Sequence, residues 1–117
     1  MSAIATYKIA DHYKGDTFDG VQFTLLNSTD NIPINLTGCA IKIQFKKSAA
    51  YGTLQKEITN TAGITIVDAV NGVFKIDAFL INWSEANYYY DIEITFPNGL
   101  VKTYIKGTLA IIRDVTN

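Results

Sequence analysis

Residues 88–96 read YYYDIEITF. Tyr88, Tyr90, Ile92, Ile94 and Phe96 fall on one side of an extended chain, and Tyr89, Asp91, Glu93 and Thr95 on the other. Successive side chains of a strand point to opposite faces, so this period of two predicts a strand with one dry and one wet face. A sheet that is wet on one side is an antiparallel one, because parallel strands are covered on both faces.

The same reading extends in both directions. Pro97, Asn98 and Gly99 form a hairpin signal between DIEITF and LVKTYIKG, since Asn-Gly supplies the positive φ angles of a tight turn. Residues 39–47, CAIKIQFKK, alternate again and place Lys42, Gln44 and Lys46 outward. VQFTLL puts Val21, Phe23 and Leu25 on one face, and Val70–Gly72 joins GITIVDA to VFKIDAF. STDNIPIN and KSAAYG read as loops. Strand and turn signals at this spacing predict an all-β sandwich or barrel. Its core should hold Phe23, Leu25, Ile41, Ile43, Phe45, Ile92, Ile94 and Phe96. Only DAFLINWSEANY breaks the rhythm. Residues 79–86 are expected to make one short helical turn between two sheets, with Tyr88 opening the next strand. A tyrosine at such a corner bonds backbone in immunoglobulin-like domains.

Bulk properties narrow the function. At 117 residues the chain suits a single domain spanning 1–117, large enough to bury a core without staples. With 48% hydrophobic and 18% charged residues it should fold rather than stay disordered. A formal net charge of −1 offers no general attraction for nucleic acid. No apolar run approaches a membrane span, and the N-terminus lacks the basic head and apolar stretch of a signal peptide. Cys39 is the single cysteine, so no intrachain disulfide can form. It shares a face with Ile41, Ile43 and Phe45 and reads as a small buried hydrophobe.

Catalytic and metal-binding patterns are incomplete. GDTFDG, residues 15–20, lacks the Gly-Lys-Ser/Thr ending of a phosphate loop. Asp16 and Asp19 alone do not supply the alternating ligands of a calcium loop. The segment reads as a turn into a strand, with Gly15 and Gly20 relieving backbone strain. His12 is the only histidine, so neither a zinc site nor a triad is expected. Asp91 and Glu93 share the wet face, where they should meet lysines such as Lys102 or Lys106 across the hairpin. No enzyme activity, cofactor or metal is expected. The aromatics Trp83, Tyr88–Tyr90 and Tyr104 could form a sugar platform, but alternation turns Tyr88 and Tyr90 inward. Tyr89 and Tyr104 are left as candidate surface aromatics.

One run needs separate treatment. GTLAIIRDVTN, residues 107–117, holds four consecutive apolar residues. Both faces of that strand want cover, either from the N-terminal AIATYKIA segment or from another subunit. Leu109, Ile111 and Ile112 are the candidate interface residues.

The motifs GDTFDGVQFTL, INLTGCAIKIQFK, GITI…NGVFKI and YYYDIEITFPNGLVKTYIKGTLAIIRDVT occur in an order that resembles small phage and prophage virion proteins. PINLTGCAIKIQF is also similar to the N-terminal domain of phage baseplate upper proteins. The resemblance covers Tyr13 to Thr116, with Cys39 where the pattern usually has Ala. The resemblance does not extend to a following coiled coil or receptor-binding domain. The resemblance implies an immunoglobulin-like antiparallel β-sandwich that docks into a tail, baseplate or capsid. It implies a protein made in the bacterial host cytoplasm and residing in the virion. Its partners would be other virion proteins or copies of itself, with no nucleic acid and no membrane. A free-standing module that binds a ligand, such as a host surface glycan, is the alternative.

Overall fold

The computed structural model describes residues 5–27, 29–49 and 51–113. The closing DVT motif, Ala3 and Ile4 of the N-terminal segment, and Ser28 and Ala50 in the two expected loops lie outside the described residues. Ten strands and no helix occur among the described residues: β1 Ala5–Tyr13, β2 Thr17–Phe18, β3 Val21–Thr24, β4 Ala40–Lys47, β5 Thr53–Thr59, β6 Ile64–Asp68, β7 Val73–Ile76, β8 Phe79–Leu80, β9 Ala86–Thr95 and β10 Val101–Ile112.

The strands form a five-stranded sheet ordered β1-β10-β9-β4-β5, a three-stranded sheet ordered β3-β7-β6, and a small β2-β8 pair. Alternation explains the layering. Ile41, Ile43 and Phe45 of β4 and Tyr88, Tyr90, Ile92 and Ile94 of β9 are buried. They join Phe23, Phe74, Ile76 and Ile64 from the smaller sheet in one core, so the chain is sandwich-like and all-β. Of the eight expected core residues, seven are buried and Phe96 is partly buried at the rim. The hairpins turn where Gly and Asn permit, with φ of 89° at Gly99 and 71° at Gly72.

Two expectations about architecture are corrected. The sheets are not wholly antiparallel, because β1 runs parallel to β10 in seven registered pairs from Ala5↔Ile105 to Tyr13↔Ile112. Residues 79–86 form no helical turn. Phe79 and Leu80 pair with Phe18 and Thr17. The backbone of Ile81 exchanges hydrogen bonds with the GDTF segment: Gly15 N–H donates to the Ile81 carbonyl at 2.8 Å, and Ile81 N–H to the Asp16 carbonyl at 3.2 Å. Those bonds satisfy groups that a helix would have satisfied internally. Ile81 is fully buried, and the Trp83 ring packs against Phe45, Phe79 and Tyr88.

GDTFDG is thus a turn and a two-residue strand. Its second glycine is obligatory. Gly20 has φ of 90°, and a Cβ there would lie 2.2 Å from the Ile76 carbonyl oxygen. The backbone of this segment approaches β7 too closely for any side chain.

Candidate functional site

The outer face of the five-stranded sheet and its edges carry most of the candidate surface residues. Lys42, Gln44 and Lys46 of β4 and Tyr89, Asp91 and Glu93 of β9 alternate with the core residues. Lys42 Nζ lies 3.5 Å from Glu93 Oε1, and Gln44 Nε2 donates to Glu57 Oε1 at 2.8 Å. Lys106 stands opposite Asp91 in the β10–β9 register, as expected, whereas Glu93 takes its cation from β4 rather than from Lys102. Opposite charges in cross-strand positions neutralise one another, so the middle of this face is a solvated charge lattice.

The expected interface residues are separated by the fold. Leu109 and Ile111 are 0% and 2% exposed and belong to the shared core. They are corrected from interface to core residues, because the opposing sheet already covers the inner face of β10. The described part of the N-terminal segment, from Ala5 onward, does not lie over that face. It extends the sheet sideways as β1. Ile112 alone of the three points outward. It is half-buried and registers with Tyr13, which is exposed. Ala110, half-buried, lies on the same side, and Tyr89 registers with Thr108 one step along. Ile112, Tyr13, Ala110 and Tyr89 therefore mark a modest apolar end on a mostly polar face, which elsewhere exposes the apolar Leu54 and Val101 singly.

Tyr104 is also corrected. It is buried, not a surface aromatic, and packs edge-on against Phe96 at 6.4 Å. The cause is a β-bulge. Thr103 registers with Glu93 and Ile105 with Ile92, leaving Tyr104 as the extra residue. A bulge interrupts alternation, so Tyr104 and Ile105 both reach the core. Tyr89 is half-buried on the outer face, and Tyr104 does not join it there.

The chemistry-bearing residues stand apart. His12 Nε2 lies 2.9 Å from the Asp16 carbonyl oxygen, and its ring meets Phe18 edge-on. Burial pushes the Cys39 thiol above its ordinary pKa, the reverse of what a nucleophile needs. Among the described residues, no three His, Cys, Asp or Glu side chains gather where they could hold a metal ion. No helix there is long and apolar enough to cross a membrane. A shallow hollow beside the β9–β10 turn, of about 410 Å³, is lined by Phe96, Pro97, Asn98, Leu100 and Lys102. Lys102 is its one charged group, and it brings together no acid–base pair.

One feature of the sheet edge escaped the sequence reading. The Tyr90 hydroxyl donates to the Tyr7 carbonyl oxygen at 2.6 Å. Gly107 makes this possible, since a Cβ there would sit 1.7 Å from that oxygen and 2.8 Å from the Tyr90 hydroxyl. The absent side chain lets β1 settle against β10, and the tyrosine ring fills the gap beneath. Burial, with a further push from Tyr7, raises the Tyr90 phenol well above its ordinary pKa. A lone Gly within an alternating strand was the available signal, because it marks close backbone approach.

No family model and no curated protein matches the chain. A solved structure of the extracellular domains 3–5 of Drosophila OTK is similar to it, at 16% identity and a TM-score of 0.35, covering 97% of this chain and 34% of that one. The chain thus spans about a third of that protein's solved length.

Proposed function

We propose that this chain is a non-enzymatic structural module of a phage or prophage virion, acting in a tail, baseplate or capsid-attached position through protein–protein assembly. The virion part rests on the order of motifs from GDTFDG to GTLAII. The assembly part rests on one observation, the apolar end of the outer face formed by Ile112, Tyr13, Ala110 and Tyr89. Its partners are other virion proteins or further copies of the chain.

The sandwich is best read as immunoglobulin-like. The order β5-β4-β9-β10 parallels strands C′-C-F-G of a variable-type domain, and β3-β7-β6 parallels B-E-D. The Tyr88 hydroxyl donates to the Ser84 carbonyl at 2.7 Å, near the start of the strand equivalent to F. That bond supports the analogy with the tyrosine corner. The inter-sheet disulfide of antibody domains has no counterpart here, since Cys39 is the single cysteine.

Antibodies raised against the purified chain provide the test. They should label particles released by a bacterium that carries the gene after prophage induction, and the chain should be present in those particles at a fixed stoichiometry. Abundant chain in the lysate but none in purified particles would reject the virion reading.

A further inference from the structure

We propose that β1 is an exchangeable strand, and that the slot along β10 also accepts β1 from a second copy of this chain. The inference goes beyond the assembly reading and does not depend on it. Three observations carry it. First, β1 is weakly anchored. Of its described side chains only Ile9 is buried, and β10 is its one ladder partner. The pairing is parallel and broken by a bulge between Ile9 and His12. Parallel pairing is slightly less stable per residue, and elements with few buried contacts open first.

Second, the slot is shaped for an extended segment. Gly107 leaves room for a backbone, the Tyr90 hydroxyl offers a hydrogen bond to its carbonyl, and Phe23 offers an edge contact to Tyr7 at 5.5 Å between ring centroids. When β1 leaves, the edge of β10 presents unpaired backbone groups, which recruit another strand. The occupant that fits is known from the register itself: Ile9 against Leu109 and Tyr7 against Gly107. A second copy supplies these groups identically, so exchange reproduces every slot contact.

Third, a hinge lies where exchange needs one. β1 ends at Tyr13, and Gly15 follows with φ of 90°, where a Cβ would meet only the Asn82 side chain, at 3.9 Å. From the Gly15 N–H onward the chain is fixed by the Gly15–Ile81 and Ile81–Asp16 bonds, so the pivot is the Tyr13–Gly15 link. The bonds closing the hinge itself are few: Asp16 N–H to the Tyr13 carbonyl at 3.2 Å and His12 Nε2 to the Asp16 carbonyl at 2.9 Å, beside the His12–Phe18 ring contact; the Lys14 N–H bond to the Ile112 carbonyl at 2.9 Å moves with β1 and is remade in the partner's slot. Opening therefore forfeits little that the exchanged form does not regain.

The test uses the full chain with Cys39→Ala, Lys8→Cys and Thr108→Cys. Lys8 and Thr108 are registered partners, so the new thiols report which β1 occupies which slot. Equal pools of ¹⁵N-labelled and unlabelled protein are mixed, held, oxidised and digested, and the disulfide-linked peptides are weighed. A tethered strand competes at an effective concentration on the order of millimolar, so mixing is done at about 1 mM and again at about 10 µM. Mixed-isotope links between positions 8 and 108 should appear at the higher concentration and fade at the lower. Adding Tyr90→Phe should speed their appearance roughly fivefold, the effect of one lost hydrogen bond. Links between two copies of position 8 measure random collision in the same digest. If the 8–108 links remain within one isotope pool, or if mixed ones are no more frequent than collision links, β1 does not exchange and the proposal fails. That failure would leave particle labelling, and so the virion reading, untouched.

Discussion

Strand β10 has two neighbours that differ in almost everything but hydrogen bonding. On one side β9 runs antiparallel over ten registered pairs and buries Tyr88, Tyr90, Ile92 and Ile94. On the other side β1 runs parallel over seven pairs and, among its described side chains, buries Ile9 alone. A ladder by itself contributes little net stability, because the same groups bond to water when unfolded. The burial of side chains beneath the ladder separates a structural strand from a detachable one.

The sharpest challenge to this contrast is made at the centre. Phe45 is fully buried, packed on Tyr90 and Trp83. Phe45→Ala should destabilise the whole domain by about 3–5 kcal/mol, read as a lowered urea midpoint. Lys42→Ala, one face over, removes a partly exposed ion pair with Glu93 and should cost about 0.5 kcal/mol or less. Equal losses would mean that the inner and outer faces of β4 are not distinguished as described.

The second challenge falls at the edge. Gly107→Ala forces a methyl group into the Tyr7 carbonyl, and backbone cannot swing aside as a side chain can. The expected cost is about 1–3 kcal/mol, as for an overpacked site. Its distribution distinguishes it from Phe45→Ala. Amide exchange should accelerate throughout β1 while β4 and β9 stay protected. Uniform loss of protection would show that β1 is an integral part of the cooperative core.

Tyr90 joins the two regions, and pH probes it. Tyr90→Phe should cost about 0.5–1.5 kcal/mol near neutrality, the worth of its bond to Tyr7. The folded protein holds the phenol above its ordinary pKa, so above about pH 10 the unfolded chain loses this proton first. The stability tied to neutral Tyr90 is complete below the unfolded pKa and is lost as pH rises towards the folded one. The wild-type protein should therefore weaken more steeply than Tyr90→Phe between pH 10 and 12. Parallel stability curves would place the ionisation elsewhere.

The centre was more legible in the sequence than the edge, for a physical reason. YYYDIEITF and CAIKIQF carry their burial in a period of two, and the Gly and Asn turns mark where the chain reverses. β1 has no such pattern: Tyr7, Lys8, Ala10, Asp11 and Tyr13 are all exposed, so its position depends on β10 rather than on its own composition. Tyr104 was misplaced because a bulge changes the parity of a strand without changing its sequence pattern. Residues 79–86 were misplaced because their backbone partners, Gly15 and Asp16, lie far away in the chain. The apolar run at 109–112 signalled a strand with two covered faces. It did not say that Leu109 and Ile111 face the core and that Ala110 and Ile112 face outward.

The smallest expected change in stability is the one that bears on assembly. Ile112 is half-buried beside Tyr13 on the outer face, whose middle is polar and charged. A lysine there can direct its ammonium into water while its stem covers Tyr13, so Ile112→Lys should alter folding stability by about 1 kcal/mol or less. Leu109→Glu, three residues earlier, buries a carboxylate in the core and should prevent folding. If the apolar end of the outer face is the docking surface, Ile112→Lys should yield a folded chain that no longer enters particles in a complementation assay. A desolvated charge at the centre of an interface costs far more than the same charge in water. Normal incorporation of Ile112→Lys, together with a normal melting temperature, would remove this end of the sheet from the docking surface and direct the search to the strand edges.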